Sequence, residues 1–123
     1  MKPTMTTAQF REDQARELSE EQFQTIVIEV AQQYGWRCAH FRGVRIQRPN
    51  GSTYYQTPVQ ADGAGFPDLV LLRGERAVVA ELKRQNGKPT PSQEDWLRAF
   101  QLAGVTAFVW RPGDLDRIHE VLR

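Results

Sequence analysis

The sequence predicts a single α/β domain in which helices flank a mixed sheet, in the order helix, strand, strand, strand, helix, strand, helix. Three observations lead there. Two apolar runs, Leu69-Val70-Leu71-Leu72 and Ala77-Val78-Val79-Ala80-Glu81-Leu82, are joined by the charged, glycine-containing connector Arg73-Gly74-Glu75-Arg76, which is a hairpin signal. Two segments open in the manner of capped helices, Ser19-Glu20-Glu21-Gln22 and Thr90-Pro91-Ser92-Gln93. The second of these helical patterns lies between two strand patterns, and a strand, helix, strand unit implies a right-handed crossover with a parallel pair inside an otherwise antiparallel sheet. At 123 residues and 40% hydrophobic content the chain has room for one core, so residues 1–123 are read as one domain.

Each element has its own justification. Residues 1–17 are polar and are expected to form a loosely ordered extension, within which Ala8 to Glu17 could be helical although its pattern is only weakly amphipathic. Ser19 as N-cap opens the first helix, whose stripe of Phe23, Ile26, Val27, Val30 and Tyr34 recurs at helical spacing, and Gly35 ends it. At about 100° per residue Glu20 falls at the edge of that stripe while Glu21 points well away, so of the two acids Glu20 is the one that could look into the molecule, and the choice between them stays open. Trp36 to Phe41 reads as the first strand. Arg42 to Ala61, with Pro49-Asn50-Gly51-Ser52 as a turn, reads either as a long loop or as a projecting hairpin. Gly63 and Gly65 permit close backbone packing or a nearby ligand before Pro67-Asp68. After the central hairpin comes a polar loop from Arg84 to Lys88, then the helix begun by Thr90, with Trp96, Leu97, Phe100 and Leu102 as its apolar side and Gly104 as its stop. Val105 to Trp110 is the last strand, and Pro112-Gly113-Asp114 turns into a short helix containing Leu115, Ile118, Val121 and Leu122.

Composition narrows the chemistry. Sixteen Lys and Arg against fifteen Asp and Glu give a net charge of +1, which favours no partner by itself. The distribution says more: no acidic residue occurs from Val30 to Ala61, whereas Arg37, Arg42, Arg45 and Arg48 all do, interleaved with Tyr34, Trp36, Phe41, Tyr54 and Tyr55. Backbone phosphate binding needs only positive charge facing the strand, so these four arginines, with Arg84 and Lys88 beyond the hairpin, are candidate DNA contacts. Cys38 is the one cysteine and His40 and His119 the two histidines, which excludes an internal disulfide and the usual zinc spacings. No membrane-length apolar run and no signal-peptide core is visible, so a cytoplasmic setting is expected.

The central hairpin carries unusual residues. Side chains alternate along a strand, so Glu81 and Lys83 share one face while Val78, Ala80 and Leu82 share the other, and Asp68 stands at the start of the paired strand. Two carboxylates and an ammonium thus come within reach of one point. Hydrolysis of a phosphodiester needs a cation to neutralise the phosphate and acidify the attacking water, and a donor for the developing charge. Magnesium takes hard oxygen ligands, generally one or two carboxylates with water and substrate phosphate. Asp68 and Glu81 fit that set, with the Leu82 carbonyl as a third oxygen, Lys83 beside the scissile phosphate, and Glu20 completing the shell through water.

Pro67-Asp68, twelve residues, then Glu81-Leu82-Lys83 resembles the signature of the PD-(D/E)XK nuclease superfamily, and the surrounding sequence resembles its VRR-NUC branch, which includes short stand-alone phage and bacterial proteins similar to Holliday junction resolvases. The resemblance runs from Ser19 to about Leu122, through Gly65-Phe66-Pro67-Asp68, Gly87, Ser92-Gln93 and Gly104. It implies a restriction-endonuclease-like core, α-β-β-β-α-β plus a C-terminal helix. It also implies Mg²⁺ or Mn²⁺ dependence, with Asp68 and Glu81 as ligands, Lys83 as catalytic lysine, Glu20 as a further acid and Gln93 as a polar residue near the site.

Plainer roles stand beside these. A Glu-x-Lys on a strand is ordinarily a solvated face, Asp after Pro a turn residue, Glu20 a favourable charge at a helix start, and Gln93 half of a capping box. Cys38 and His40 are expected to be structural, His119 exposed, and Trp96 and Trp110 core. The combination favours an endonuclease for branched DNA; two coordinated cuts from a chain with one site then require a homodimer, and neither membrane nor nucleotide cofactor is involved. A flap-, single-strand- or duplex-directed nuclease, a non-catalytic DNA-binding module, and a protein-interaction domain using the aromatic stretch are the competing expectations.

Overall fold

The computed structural model describes residues 6–41, 44–56 and 59–123. The elements in chain order are α1 (Thr7–Glu17), α2 (Glu20–Gln33), β1 (Arg37–His40), β2 (Val44–Gln47), β3 (Thr53–Gln56), β4 (Leu69–Arg73), β5 (Arg76–Leu82), α3 (Pro91–Leu102), β6 (Thr106–Trp110), a 3-10 turn (Pro112–Asp114) and α4 (Leu115–Leu122). The main sheet has the order β1-β4-β5-β6. Its first two pairings are antiparallel and β5 with β6 is parallel, as the crossover through α3 demands. This is the mixed sheet of a restriction-endonuclease-like core.

One face of the sheet is covered by α2 and α4. Phe23, Val27, Val30 and Ala31 of α2 are buried against Leu69, Leu71, Val78, Ala80 and Leu82, and Ile118, Leu122, Trp36 and Trp110 complete this core. The other face packs on α3, where Leu97 is buried. Glycine is needed where α2 ends: Gly35 has φ 82°, the left-handed region in which a Cβ is strained, and this turns the chain sharply into Trp36 and β1.

The far end of the sheet is clasped to the C-terminus. Trp36 Nε1 donates to the Leu122 carbonyl at 2.8 Å, and Arg73 Nη1 donates to the carbonyls of Tyr34 and Leu122, each at 2.9 Å. The guanidinium carbons of Arg73 and Arg76 lie 4.7 and 4.9 Å from the Trp36 ring centroid. These donors satisfy carbonyls that the ends of α2 and α4 leave without helical partners.

Several sequence expectations need correction. Within the N-terminal extension the segment that could be helical forms α1, closed at its start by a capping box in which Gln9 N donates to Thr6 Oγ1 and Thr6 N to Gln9 Oε1. Ala15 of that helix is buried, so packing through one small residue fixes a helix that has almost no apolar stripe. The region after β1 forms the antiparallel hairpin β2–β3, Ile46 opposite Tyr54, which selects the hairpin over the loop across residues 44–56. Leu102, expected on the apolar side of α3, is 77% exposed because it sits on the last turn, beyond the sheet's reach. Trp96 is half-buried instead of core, since its indole N–H donates outward to the carbonyls of Asp62 and Ala64 at 3.0 and 3.1 Å. His119 is half-buried instead of exposed, with Nδ1 2.8 Å from the Tyr34 hydroxyl. His40, expected to be structural, is exposed. No helix among the described residues is long and apolar enough to cross a membrane.

Candidate active site

The β4–β5 register builds the site. Leu69 pairs with Ala80, so one step further Asp68 faces Glu81 across the two strands. Directly opposed residues project from the same face, and Lys83, two beyond Glu81, joins them there. Asp68 is held by backbone and side chain together. Its carbonyl accepts from Phe41 N at 2.8 Å, and its Oδ2 accepts from Leu82 N at 2.8 Å, replacing the strand partner that β4 no longer offers. Beyond the end of β5, Lys83 N still donates to the Trp110 carbonyl at 3.0 Å, which keeps its stem in register with β6.

Glu81 is 1% exposed, the one buried charged residue among those described. Its Oε1 lies 3.5 Å from Lys83 Nζ, while its Oε2 is buried without a hydrogen-bond partner. Burial, reinforced by the neighbouring Asp68 carboxylate and opposed by Lys83, pushes its pKa up to about 8. A buried carboxylate with an orphaned oxygen is an expensive arrangement unless something positive completes it.

Glu20 belongs to the same electrostatic unit. It sits in the first turn of α2, held by the Ser19 and Gln22 capping box, and is half-buried whereas Glu21 is exposed. Burial raises its pKa; the charges of Lys83 and Arg84 lower it and that of Asp68 raises it. Among the described residues no three His, Cys, Asp or Glu side chains form a ready-made cage, so the direct protein ligands on offer are the pair Asp68 and Glu81, with Glu20 acting from farther off. Two carboxylates with an unpartnered oxygen suit a hard cation that keeps several waters, as magnesium does.

Gln93 is engaged in its cap: its Oε1 accepts from Thr90 N at 2.8 Å, and its N donates to Thr90 Oγ1 at 3.3 Å. The start of α3 nevertheless presses on the approach to Asp68. Gly65 has φ 83°, and a Cβ there would stand 2.5 Å from Ser92 C and 2.8 Å from Gln93 N. Phe66 adds an aromatic cluster that the sequence reading missed, with ring centroids 4.9 Å from Phe41, 5.1 Å from Trp96 and 5.8 Å from Phe100. The four rings are scattered over three segments, and only their shared proximity to Pro67-Asp68 in the fold connects them.

The candidate DNA contacts divide by position. Arg84 and Lys88 are exposed on the loop that leaves Lys83, and the charge of Arg84 reaches Glu20. Arg37 pairs with Leu72, at the end of the sheet away from Asp68. Arg48 is exposed on the hairpin, its guanidinium carbon 4.3 Å from the Tyr54 ring centroid. Arg42 lies outside the described residues, as does the side chain of Arg45.

A mixed sheet of this topology with Asp68, Glu81 and Lys83 gathered at one end has the form of a nuclease-type domain. Residues 18–112 match the model of the VRR-NUC domain, and the chain belongs to that family of nuclease domains. Neither a curated protein nor a solved structure matches the chain.

Proposed function

We propose that this protein is a metal-dependent endonuclease that hydrolyses DNA phosphodiester bonds and acts as a homodimer on branched DNA, in the manner of a Holliday junction resolvase. The observation that carries the reading is Glu81: a buried carboxyl with one oxygen unpartnered, beside a second carboxylate and a lysine. A hydrophobic residue would serve the fold better at that position, so the charge is explained by what it holds. Asp68 and Glu81, with the Leu82 carbonyl and, through water, Glu20, would hold Mg²⁺ or Mn²⁺. The ion would supply the Lewis acid that neutralises the phosphate and acidifies the attacking water. Lys83 places its ammonium beside the phosphoryl oxygens and stabilises the charge that grows on them. Leu82 N keeps the Asp68 carboxylate aimed, and Gln93 holds the start of α3 against Gly65. A junction requires two cuts and each chain carries one site, hence the dimer.

A labelled panel of four-way junction, flap, single strand and plain duplex, with Mg²⁺ or Mn²⁺ against chelator, tests this. Paired nicks confined to the junction, abolished in Glu81→Gln, are the expected result. Cleavage of the other substrates would retain the site and remove the junction preference. Tight binding without cleavage would make the protein a DNA-binding module.

A further inference from the structure

The loop leaving β5 places Arg84 directly after Lys83, where its charge reaches Glu20. This loop is built to stay in place. Gly87 N donates to the Arg84 carbonyl at 2.8 Å, Arg111 Nε donates to the Gly87 carbonyl at 3.0 Å, and Gly113 N donates to Gln85 Oε1 at 2.8 Å. Facing it is the last turn of α1, and between them lies a cleft of about 300 Å³ lined by Arg16, Arg84, Gln85, Asn86 and Gly87. Two arginines and two amide residues thus line one space to which no acidic side chain among the described residues contributes. Arg16 and Arg84 are both exposed, and neither guanidinium group forms a hydrogen bond or ion pair with a described residue.

Two like charges lining one cleft repel each other, and an anion between them relieves that repulsion. Guanidinium presents a planar fork that suits phosphate oxygens, and the cleft adjoins the end of the sheet that holds Asp68, Glu81 and Lys83. Helix α1 lies outside residues 18–112, the part that matches the family model, so Arg16 stands beyond the matched domain. The helix is seated independently of that arginine, through buried Ala15 and through packing on the turn Pro112–Asp114.

We propose that this cleft is a phosphate subsite: it takes a phosphodiester of the bound nucleic-acid strand neighbouring the one that is cleaved, with Arg16 and Arg84 on its oxygens. The N-terminal helix is then part of the substrate-binding surface. The inference rests on the nuclease reading, and the experiment separates the two.

Binding of a labelled four-way junction and a labelled duplex to the full chain is followed by fluorescence anisotropy over a range of KCl concentrations, with Ca²⁺ in place of Mg²⁺. Each phosphate contact contributes about 0.9 to the slope of log affinity against log salt for duplex DNA. Arg16→Ala is expected to lower the slope by about that amount, which corresponds to about 8-fold weaker binding near 0.1 M salt. Arg84→Ala should do the same, and Arg16→Lys should keep the slope. Arg11→Ala is the control, because Arg11 is on the same helix but pairs with Asp116 at 3.7 Å. In cleavage assays Arg16→Ala should raise KM and leave kcat unchanged. Wild-type slope in Arg16→Ala, or an equal loss in Arg11→Ala, would overturn the subsite while the nuclease reading stands. No DNA binding by the wild-type chain would overturn both.

Discussion

Leu82 donates its backbone N–H to Oδ2 of Asp68 at 2.8 Å, so a side chain continues the β4–β5 ladder where the backbone of β4 has ended. The same carboxylate therefore serves the sheet and the site. A charged acceptor here is stronger than a neutral one, and it aims the remaining lone pairs of Asp68 along the face shared with Glu81 and Lys83.

Separating those two duties is the first prediction. Asp68→Asn retains an oxygen to accept from Leu82 N, so the variant should fold with a stability within about 1 kcal/mol of wild type, while cleavage is lost with the carboxylate. Asp68→Ala leaves Leu82 N without its acceptor and should be destabilised by roughly 1–3 kcal/mol as well as inactive. Urea denaturation alongside a cleavage assay distinguishes them; equal destabilisation of both variants would mean that the charge, and not the acceptor, holds the strand end.

The meeting of Asp68, Glu81 and Lys83 was legible in the sequence because its logic is local. Alternation along β5 puts Glu81 and Lys83 together, and a tight hairpin brings Asp68 opposite; both follow from residues fewer than twenty apart. The capping boxes at Ser19 and Thr90 were equally legible, since each bonds across three residues. What escaped depends on distant docking. The Tyr34 hydroxyl meets His119, the Trp36 indole meets the Leu122 carbonyl, and Phe66 meets rings from two other segments, none of which a periodicity encodes. Helix α1 was legible only as a weakly amphipathic segment that could be helical, because one buried alanine gives no stripe to read.

Stability should fall with rising pH when no cation is present. Glu81 has its folded pKa raised from 4.5 to about 8, chiefly by burial and then by Asp68. Between those values the native state binds a proton that the unfolded chain has released, so stability decreases as pH rises through that window. The stabilising contribution is complete below the unfolded value and gone above the folded one. Melting temperatures measured in chelator from acid to mildly alkaline pH should show this decline, and Glu81→Gln should flatten it. Added Mg²⁺ or Mn²⁺ should raise the melting temperature most at the alkaline end, where the carboxylate is ionised in either state. An unchanged decline in Glu81→Gln would assign the effect elsewhere.

Lys83 should matter to the reaction more than to binding. Its side chain is only 14% exposed and points along the face shared by Glu81 and Asp68. Removing one preorganised positive group from a phosphoryl-transfer site commonly lowers kcat by roughly 10²–10³-fold. Lys83→Ala should show a loss of that order with KM little altered, because the proposed backbone contacts are made by exposed arginines and not by this half-buried lysine. A variant that loses affinity in proportion and keeps kcat would make Lys83 a binding residue.

The approach to Asp68 depends on the absence of a single methyl group. Gly65 has φ 83°, a region that an alanine enters only under strain, and the added Cβ would lie 2.5 Å from Ser92 C and 2.7 Å from Ser92 O. Neither atom is the end of a flexible side chain; both belong to the first turn of α3, which the Thr90 and Gln93 cap holds rigidly. Gly65→Ala should therefore push the segment before β4 away from α3, move Phe66 out of its ring contacts and misplace Asp68. Together these should destabilise by more than about 1 kcal/mol and reduce kcat by at least about 10²-fold, since a displacement near 1 Å at a reacting group has that effect. Gly74→Ala is the comparison, because Gly74 also has positive φ, 58°, yet a Cβ there meets nothing within 4 Å. It should show the backbone strain without the loss of activity. If both variants lose activity alike, general destabilisation and not the position of Asp68 explains the result; if only Gly65→Ala does, the contact between that glycine and the start of α3 is what positions the carboxylate.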